Sequence, residues 1–252
     1  MSIRWSFAWW STYRDGMDAM ELLRAAARGG YDGVEMIDRS LWPAVADAGL
    51  VVAASHGFVD WQVGLNRREH HDAIEQELLA NLEAGAAIGA DRYMVFSGLA
   101  AGIDDEAGLE ATIEGLARLA PAAERHGVLL LLELLNRRVD HPDYQCNRSD
   151  WGARAVRAVG SPHVKLLYDI YHMQVDEGNL IATIREHADD FAHYHVAAVP
   201  GRGEPGPDQE VNYPAVRRAI EATGFDGWVG LEFYPADDTA DSLARALAYV
   251  RS

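Results

Sequence analysis

The sequence is poor in cysteine and lacks long apolar runs. Cys146 is the single cysteine, which excludes an internal disulfide framework and is typical of a reducing compartment. No stretch approaches the roughly 20 consecutive apolar residues that a membrane-spanning helix needs. Residues 1–5 also lack the basic and apolar segments of a signal peptide. We therefore expect a cytoplasmic protein in which Cys146 is a loop thiol rather than a nucleophile.

Positive charge is scarce as well. The 252 residues include 39 acidic and 22 basic side chains, which gives a formal net charge of -17. The basic residues occur as short pairs, such as Arg67-Arg68, without the clusters that neutralise a phosphate backbone. We therefore expect a small-molecule ligand and neither nucleic acid nor a membrane as a partner.

The sequence does contain a regular alternation of apolar strand-like runs and amphipathic helical stretches. Such alternation selects a parallel sheet, and eight strand–helix units in about 250 residues are typical of a closed (β/α)8 barrel. No linker or change of composition marks a second domain. We predict an α/β fold, a single TIM barrel over residues 1–252. The predicted strands are 3–8, 33–37, 51–55, 92–96, 128–132, 164–168, 191–194 and 228–231. One helix is predicted after each strand, and the last four helices are predicted to begin near residues 150, 178, 213 and 239.

One ionisable residue closes each of the last four predicted strands. Because parallel strands of a barrel end on the same face, we expect these four side chains to converge. Three carboxylates and one imidazole suit a divalent cation, Mn²⁺ or Mg²⁺ foremost, with Zn²⁺ or Co²⁺ as alternatives. Helix capping and salt bridges are the other roles open to any one of them. The four residues are Glu133, Asp169, His195 and Glu232.

The sequence resembles a known family at this point. Residues 166–174, Leu-Leu-Tyr-Asp-Ile-Tyr-His-Met-Gln, look like the signature of hydroxypyruvate isomerase-like proteins, which belong to the xylose isomerase-like barrel superfamily. The resemblance covers nearly the whole chain and is strongest over residues 128–235. Further motifs that carry it lie at residues 30–35, 135–136, 140–145, 201–206, 211–213 and 230–233.

The resemblance implies a xylose isomerase-like TIM barrel and a metal-dependent aldose–ketose type isomerase. The implied substrate is a small hydroxycarbonyl compound similar to hydroxypyruvate or tartronate semialdehyde. Glu133, Asp169, His195 and Glu232 would bind one divalent ion, and Glu133 and Glu232 would also exchange protons with the substrate through an enediolate. The resemblance implies no cofactor besides the metal.

Other activities remain open. Some hydroxypyruvate isomerases carry Gln where this chain has His195, which instead matches the ketose 3-epimerase branch. A ketose 3-epimerase or a polyol or sugar-acid dehydratase would use the same metal-assisted proton removal. An endonuclease IV-like nuclease is disfavoured, because the fourth strand ends in Val95-Phe96-Ser97 without a histidine. A non-catalytic sugar-binding barrel would predict a defective metal site, whereas all four positions are filled.

Four further residues are candidate substrate contacts. The resemblance makes His172 a contact to a substrate oxygen, and Arg202 lies in a Gly/Pro-rich loop where a guanidinium could bind a carboxylate or hydroxyl. His56 follows the third strand, and Trp9, together with Trp10, follows the first. These positions could line the rim of the barrel, and structural packing is the alternative for each.

Three other features carry expectations. Glu35 ends the second predicted strand and either enters the barrel mouth or orients neighbouring groups. We expect His193 to point to the opposite face from His195 and to be a packed residue. Residues 136–150 exceed common loop lengths, which predicts a lid or an interface segment. By family analogy alone, we expect a homo-oligomer, either a dimer or a tetramer.

Overall fold

Eight parallel strands form a closed barrel in chain order, which confirms the predicted fold. The computed structural model describes residues 3–252. The prediction that no signal peptide is present rests partly on Met1 and Ser2, which lie outside the described residues. Among residues 3–252, no helix combines the length and apolar character needed to cross a membrane. The strands are β1 (Arg4–Ala8), β2 (Gly33–Glu35), β3 (Val51–His56), β4 (Arg92–Val95), β5 (Leu129–Glu133), β6 (Val164–Asp169), β7 (Phe191–Val196) and β8 (Trp228–Leu231).

The helices between the strands begin and end at local signals. The longest begins after Asp104, whose carboxylate accepts the N–H groups of Glu106 and Ala107, and ends at Gly127 with φ 67°. Short 3-10 turns cover Arg39–Leu41 and Arg68–His70. The α-helices are α1 (Trp9–Thr12), α2 (Ala19–Gly29), α3 (Trp42–Asp47), α4 (His71–Ala86), α5 (Asp105–His126), α6 (Ser149–Val159), α7 (Ile170–Asp176), α8 (Leu180–Glu186), α9 (Tyr213–Ala222) and α10 (Thr239–Arg251).

The chain divides by its internal contacts into two compact units. The first comprises Met1–Ala53, Asn179–Ala188 and His193–Ser252, and the second comprises Ala54–Gly178 and Asp189–Ala192. In the first unit, β1 pairs with β2 and β8, and β7 pairs with β8. In the second, β4 pairs with β3 and β5, and β5 pairs with β6. The assignment of residues 1–252 to one domain stays a prediction.

The core of the second unit shows why its strands read as continuous apolar runs. Leu130, Leu131 and Leu132 of β5 are all fully buried. A strand that is covered on both faces has no polar face, so its sequence does not alternate. Burial of each leucine side chain contributes about 1.5–3 kcal/mol to folding.

The structure adds two short helices, α1 and α7, to the predicted pattern and shifts several boundaries. The helix α7 follows β6 directly, whereas the sequence placed the next helix near Gly178. The second strand ends at Glu35 rather than at residue 37, because Met36 adopts the left-handed conformation with φ 54°. Cys146 is fully buried, and this burial raises the pKa of its thiol well above the usual value, which disfavours the thiolate.

Candidate active site

In the first unit, the ends of β7 and β8 hold His195 and Glu232 side by side. His195 is paired with Gly230 across the two strands, and the Glu232 N–H donates to the Val196 carbonyl at 2.9 Å. The His195 Nδ1 atom lies 3.2 Å from the Glu232 Oε2 atom, and both side chains are buried. Sequence reasoning predicted both residues at these strand ends.

Glu35 anchors the other nitrogen of His195. Its carboxylate lies 2.9 Å from His195 Nε2 and 3.0 Å from His193 Nε2, and it also accepts the Ser6 hydroxyl. Glu35 therefore orients neighbouring groups, one of its two predicted roles. The expectation that His193 points away from His195 was wrong, because residues two apart in a strand share a face.

The bond to Glu35 determines which His195 nitrogen can bind a cation. A carboxylate only accepts hydrogen bonds, so Nε2 carries a proton. The Nδ1 atom lies 3.2 Å from Glu232 Oε2, where a protonated Nδ1 would donate to that carboxylate and a deprotonated Nδ1 would offer its lone pair to a cation. An imidazole nitrogen beside a carboxylate oxygen, with the second nitrogen tied to another carboxylate, is a donor set that suits a divalent metal ion.

Gly230 provides room for this arrangement. A Cβ atom at Gly230 would contact a Glu35 carboxylate oxygen and would lie 3.0 Å from the His195 ring. Glycine at this strand position therefore allows the carboxylate–imidazole pair to form. The sequence motif around residues 230–233 drew attention to this segment, but it did not indicate this role for the glycine.

Glu232 is surrounded by hydrogen-bond donors. The Arg202 guanidinium donates to its Oε2 atom at 2.6 Å, and the Trp10 indole donates to its Oε1 atom at 2.6 Å. Burial alone would raise the pKa of this carboxyl, but Arg202, His195 and Trp10 outweigh burial and lower the pKa to about 2. The Glu232 side chain is therefore a carboxylate at neutral pH.

The same balance operates at Glu35. Burial raises the pKa of its carboxyl, but the charges and hydrogen bonds of His193 and His195 hold that pKa well below its usual value. An ionised carboxylate at this buried position is stable because each of its oxygens accepts a hydrogen bond.

The backbone fixes Arg202 against Glu232. Arg202 has φ 56°, a left-handed conformation that is unfavourable for a residue with a side chain. The Tyr234 N–H donates to the Arg202 carbonyl at 2.9 Å, and the Ala198 N–H donates to the Gly203 carbonyl at 2.9 Å. Its guanidinium carbon also lies 5.2 Å from the centroid of the Trp10 ring. A long side chain is thus held at one position in the site.

The two rim tryptophans have different surroundings. Trp9 is 4% exposed and stacks on Tyr13, with 4.4 Å between the ring centroids. Trp10 is 44% exposed and reaches Glu232. A substrate contact through Trp9 stays a prediction, whereas Trp10 has a direct bond to a predicted site residue.

In the second unit, Glu133 and Asp169 close neighbouring strands. Glu133 of β5 is paired with Leu167 of β6, so Asp169 lies two residues further along the adjacent strand. Both residues are buried. Asp169 also caps α7, because its Oδ1 atom accepts the His172 N–H at 3.1 Å. Capping, which sequence reasoning weighed as an alternative role, therefore occupies one of its two oxygens.

His172 belongs to a polar group that the sequence did not predict. Its Nδ1 atom lies 2.6 Å from the Asn136 side-chain nitrogen, and its Nε2 atom lies 3.6 Å from Asp169 Oδ2. Asn136 also donates to Asp140 at 2.6 Å, and Tyr171 donates to the same Asp140 oxygen at 2.8 Å. The one sequence feature that could have indicated this polar group is the polar Asn136, three residues after the strand-end Glu133.

Two remaining predictions in this unit have less support. His56 ends β3 and is half-buried, and its role in substrate binding stays a prediction. The long segment after β5 is tied down at Tyr144, which is fully buried and donates to the Glu133 carbonyl at 3.0 Å. Its proposed role as a lid or an interface is also untested.

A family model, described as the xylose isomerase-like TIM barrel, matches residues 13–252. The chain belongs to this family. The carboxylates and the histidine at the strand ends described above therefore belong to a xylose isomerase-like TIM barrel.

Relatives of this xylose isomerase-like barrel include named isomerases. It is 36% identical over 170 residues to a 2-oxo-tetronate isomerase of Cupriavidus necator, a match that covers 67% of this chain and 65% of the relative. It is 35% identical over 162 residues to a putative hydroxypyruvate isomerase of Homo sapiens, which covers 64% of this chain and 55% of the relative. The matches therefore span less than two thirds of the length of these two relatives.

A solved structure agrees with the fold over nearly the whole chain. The crystal structure of AP endonuclease, family 2, from Brucella melitensis matches with a TM-score of 0.84 and 27% identity, and the match covers 98% of this chain and 99% of that one.

Proposed function

We propose that the protein is a metal-dependent isomerase of a small hydroxycarbonyl acid, such as hydroxypyruvate or 2-oxo-tetronate. One observation carries the proposal: a buried glutamate, Glu232, lies beside His195 and is held ionised by Arg202. A buried imidazole beside an ionised carboxylate can bind a cation, and the carboxylate can also accept a proton from carbon. The named isomerases among the relatives support the reaction class.

Glu133, Asp169, His195 and Glu232 are the proposed metal ligands. The supporting observation is topological, since these residues end β5 to β8, which are successive in the closed barrel. Two local observations support the proposal: the His195 Nδ1 atom lies 3.2 Å from Glu232 Oε2, and Glu133 and Asp169 are both buried at the ends of neighbouring strands. A divalent cation at this site would stabilise negative charge on two adjacent substrate oxygens.

The two glutamates carry the proposed proton transfer. Glu232 is ionised at neutral pH and can accept the proton from C3 of hydroxypyruvate. The electron pair of that C–H bond then forms the enediolate, and a proton from Glu133 is delivered to C2. The proton on the C3 hydroxyl moves to the C2 oxygen, so the product is tartronate semialdehyde and no atom is lost.

Arg202 and His172 are the proposed substrate contacts. The Arg202 guanidinium donates to Glu232 at 2.6 Å, which places a cation beside the proposed acid–base residue, and a guanidinium can bind a substrate carboxylate. This contact favours hydroxycarbonyl acids over uncharged ketoses. His172 would donate a hydrogen bond to a substrate oxygen.

The test is turnover by metal-stripped protein with and without added Mn²⁺ or Mg²⁺. Hydroxypyruvate, 2-oxo-tetronate and a panel of ketoses should be incubated with the protein in D2O and followed by NMR. We expect metal-dependent isomerisation of a hydroxycarbonyl acid with deuterium incorporated at carbon. Glu133→Gln and Glu232→Gln should lower turnover by about 10²–10⁴-fold, the contribution of a positioned acid or base.

Glu110→Gln is the matched control, because Glu110 is an exposed glutamate on α5. It should retain wild-type turnover. Epimerisation of a ketose without conversion of any acid would replace the proposed substrate class. Tight ligand binding with no metal-dependent exchange would make the protein a binding module and contradict the proposal.

A further inference from the structure

Asn136 is a fully buried amide whose orientation is determined by its neighbours. Its Oδ1 atom accepts the backbone N–H groups of Val139 and Asp140, both at 3.0 Å. A backbone N–H can only donate, so the atom that faces these two groups must be the oxygen. The NH2 group of Asn136 is therefore on the opposite side of the amide.

That NH2 group faces two acceptors. It lies 2.6 Å from Asp140 Oδ2 and 2.6 Å from His172 Nδ1. One amide hydrogen goes to the Asp140 carboxylate, and the second points at the histidine nitrogen. Two N–H groups cannot point at each other at this distance, so His172 Nδ1 accepts and carries no proton.

The neighbouring acid does not change this assignment. His172 Nδ1 lies 3.9 Å from Asp140 Oδ2, which is too long for a hydrogen bond. The Asp140 oxygen already accepts Asn136 and the Tyr171 hydroxyl, at 2.6 and 2.8 Å. Tyr171 and Asp140 thus hold the amide, and the amide faces the histidine.

We propose that Asn136 is a positioning residue that holds neutral His172 in the Nε2–H tautomer. The ring then presents a hydrogen-bond donor on the side of Asp169, whose Oδ2 atom lies 3.6 Å from Nε2. In the proposed isomerase, which this inference deepens, His172 acts as a donor to a substrate oxygen and not as a proton-accepting base. His172 would therefore select a substrate oxygen that accepts a hydrogen bond, such as a carbonyl or an enediolate oxygen.

The direct test is the protonation of each ring nitrogen in ¹⁵N-histidine-labelled protein, measured by NMR at mildly alkaline pH. The His172→Gln spectrum identifies the His172 signals by their loss. Two other histidines provide references within the same spectrum. His163 Nδ1 lies 2.6 Å from the Val128 carbonyl and His71 Nε2 lies 2.8 Å from the Leu65 carbonyl, so they must donate through opposite nitrogens.

We expect His172 to match His71, with Nε2 protonated and Nδ1 unprotonated. The exchanged pair Asn136→Asp with Asp140→Asn keeps the amide–carboxylate bond but places a carboxylate against His172 Nδ1. In this double variant, Nδ1 should become protonated. A wild-type His172 with a protonated Nδ1 would overturn the proposal, and this outcome is measurable even if the double variant does not fold.

A second measurement distinguishes a positioning role of Asn136 in the reaction from a purely structural role. The double variant should bind Mn²⁺ with wild-type affinity, measured by calorimetry, while kcat for the hydroxycarbonyl acid falls about 10²–10³-fold, the effect of losing one donor to a developing oxyanion. Unchanged kcat with reversed ring protonation would refute the role in the reaction. If the wild-type protein turned over no substrate, the proposed isomerase would fail while the NMR result on His172 would still stand.

Discussion

Replacement of Arg202 by methionine tests the electrostatics of the site most directly. Arg202 is 7% exposed and its guanidinium lies 2.6 Å from Glu232 Oε2. The pKa of Glu232 is lowered from 4.5 to about 2, which corresponds to about 3 kcal/mol at about 1.36 kcal/mol per pKa unit. Arg202 makes the largest of the favourable contributions, ahead of His195 and Trp10.

The variant leaves a buried carboxylate without its main partner. Removal of one member of a buried ion pair costs about 3–5 kcal/mol, which includes the cost of the remaining buried charge. We expect Arg202→Met to lower the free energy of unfolding by about 3 kcal/mol at pH 7 in metal-free protein. Urea unfolding followed by circular dichroism, with a chelator present, measures this difference.

The effect should depend on pH with a defined sign. The folded-state pKa of Glu232 is lower than its unfolded value, so its stabilisation is present above pH 4.5 and is lost as the pH falls toward 2. The difference between wild type and Arg202→Met should therefore shrink as the solution is acidified through that range. Glu232→Gln removes the charge and should abolish most of the effect of Arg202→Met.

The matched control is Arg28→Met. Arg28 and Glu21 form an ion pair of similar length, 2.7 Å, but their side chains are 64% and 61% exposed. This variant should change stability by less than about 0.5 kcal/mol. The reasoning would be refuted if Arg202→Met were as mild as Arg28→Met, or if its effect persisted unchanged in the Glu232→Gln background.

Two further predictions concern the anchor of His195. Glu35→Gln should weaken Mn²⁺ binding about 10–100-fold in a calorimetric titration, because a ligand histidine loses its orienting carboxylate; unchanged affinity would exclude this role for Glu35. Gly230→Ala should lower the free energy of unfolding by about 1–3 kcal/mol, because the new methyl group would contact Glu35 and the His195 ring. Gly29→Ala in α2, where no atom beyond the adjoining residues and the helix backbone lies within 4 Å of the added Cβ, should instead be neutral or stabilising, and thermal melts of both variants measure the difference.

The fold could be predicted because the pattern that specifies it is repeated along the chain. Several buried strands are apolar runs, as in β5, and several helices end at a glycine with positive φ, as at Gly127 and Gly160. The helix α7 was missed because Ile170–Asp176 is apolar and aromatic at its start and follows a strand without a break. Its start is set by the Asp169 cap, a role that strand position alone does not distinguish from metal binding.

The site was predictable at the strand ends but not in the contacts around them. Strand position alone identified His195 and Glu232, whereas the partnership of Glu35 with His195 joins residues 160 positions apart. The orientation of Asn136 depends on two backbone N–H groups in an irregular loop. Such contacts follow from the path of the chain, which hydrophobic periodicity does not encode.

Trp10 gives the site an optical signal. Trp10 is one of seven tryptophans in the sequence. It is 44% exposed and donates its indole N–H to Glu232 beside the Arg202 guanidinium. Indole emission responds to charge and hydrogen bonding at the ring, so a ligand that takes Glu232 or Arg202 away from this contact changes the fluorescence. The difference between wild-type and Trp10→Phe spectra isolates that change, and it allows metal and substrate to be titrated in real time without a coupled assay.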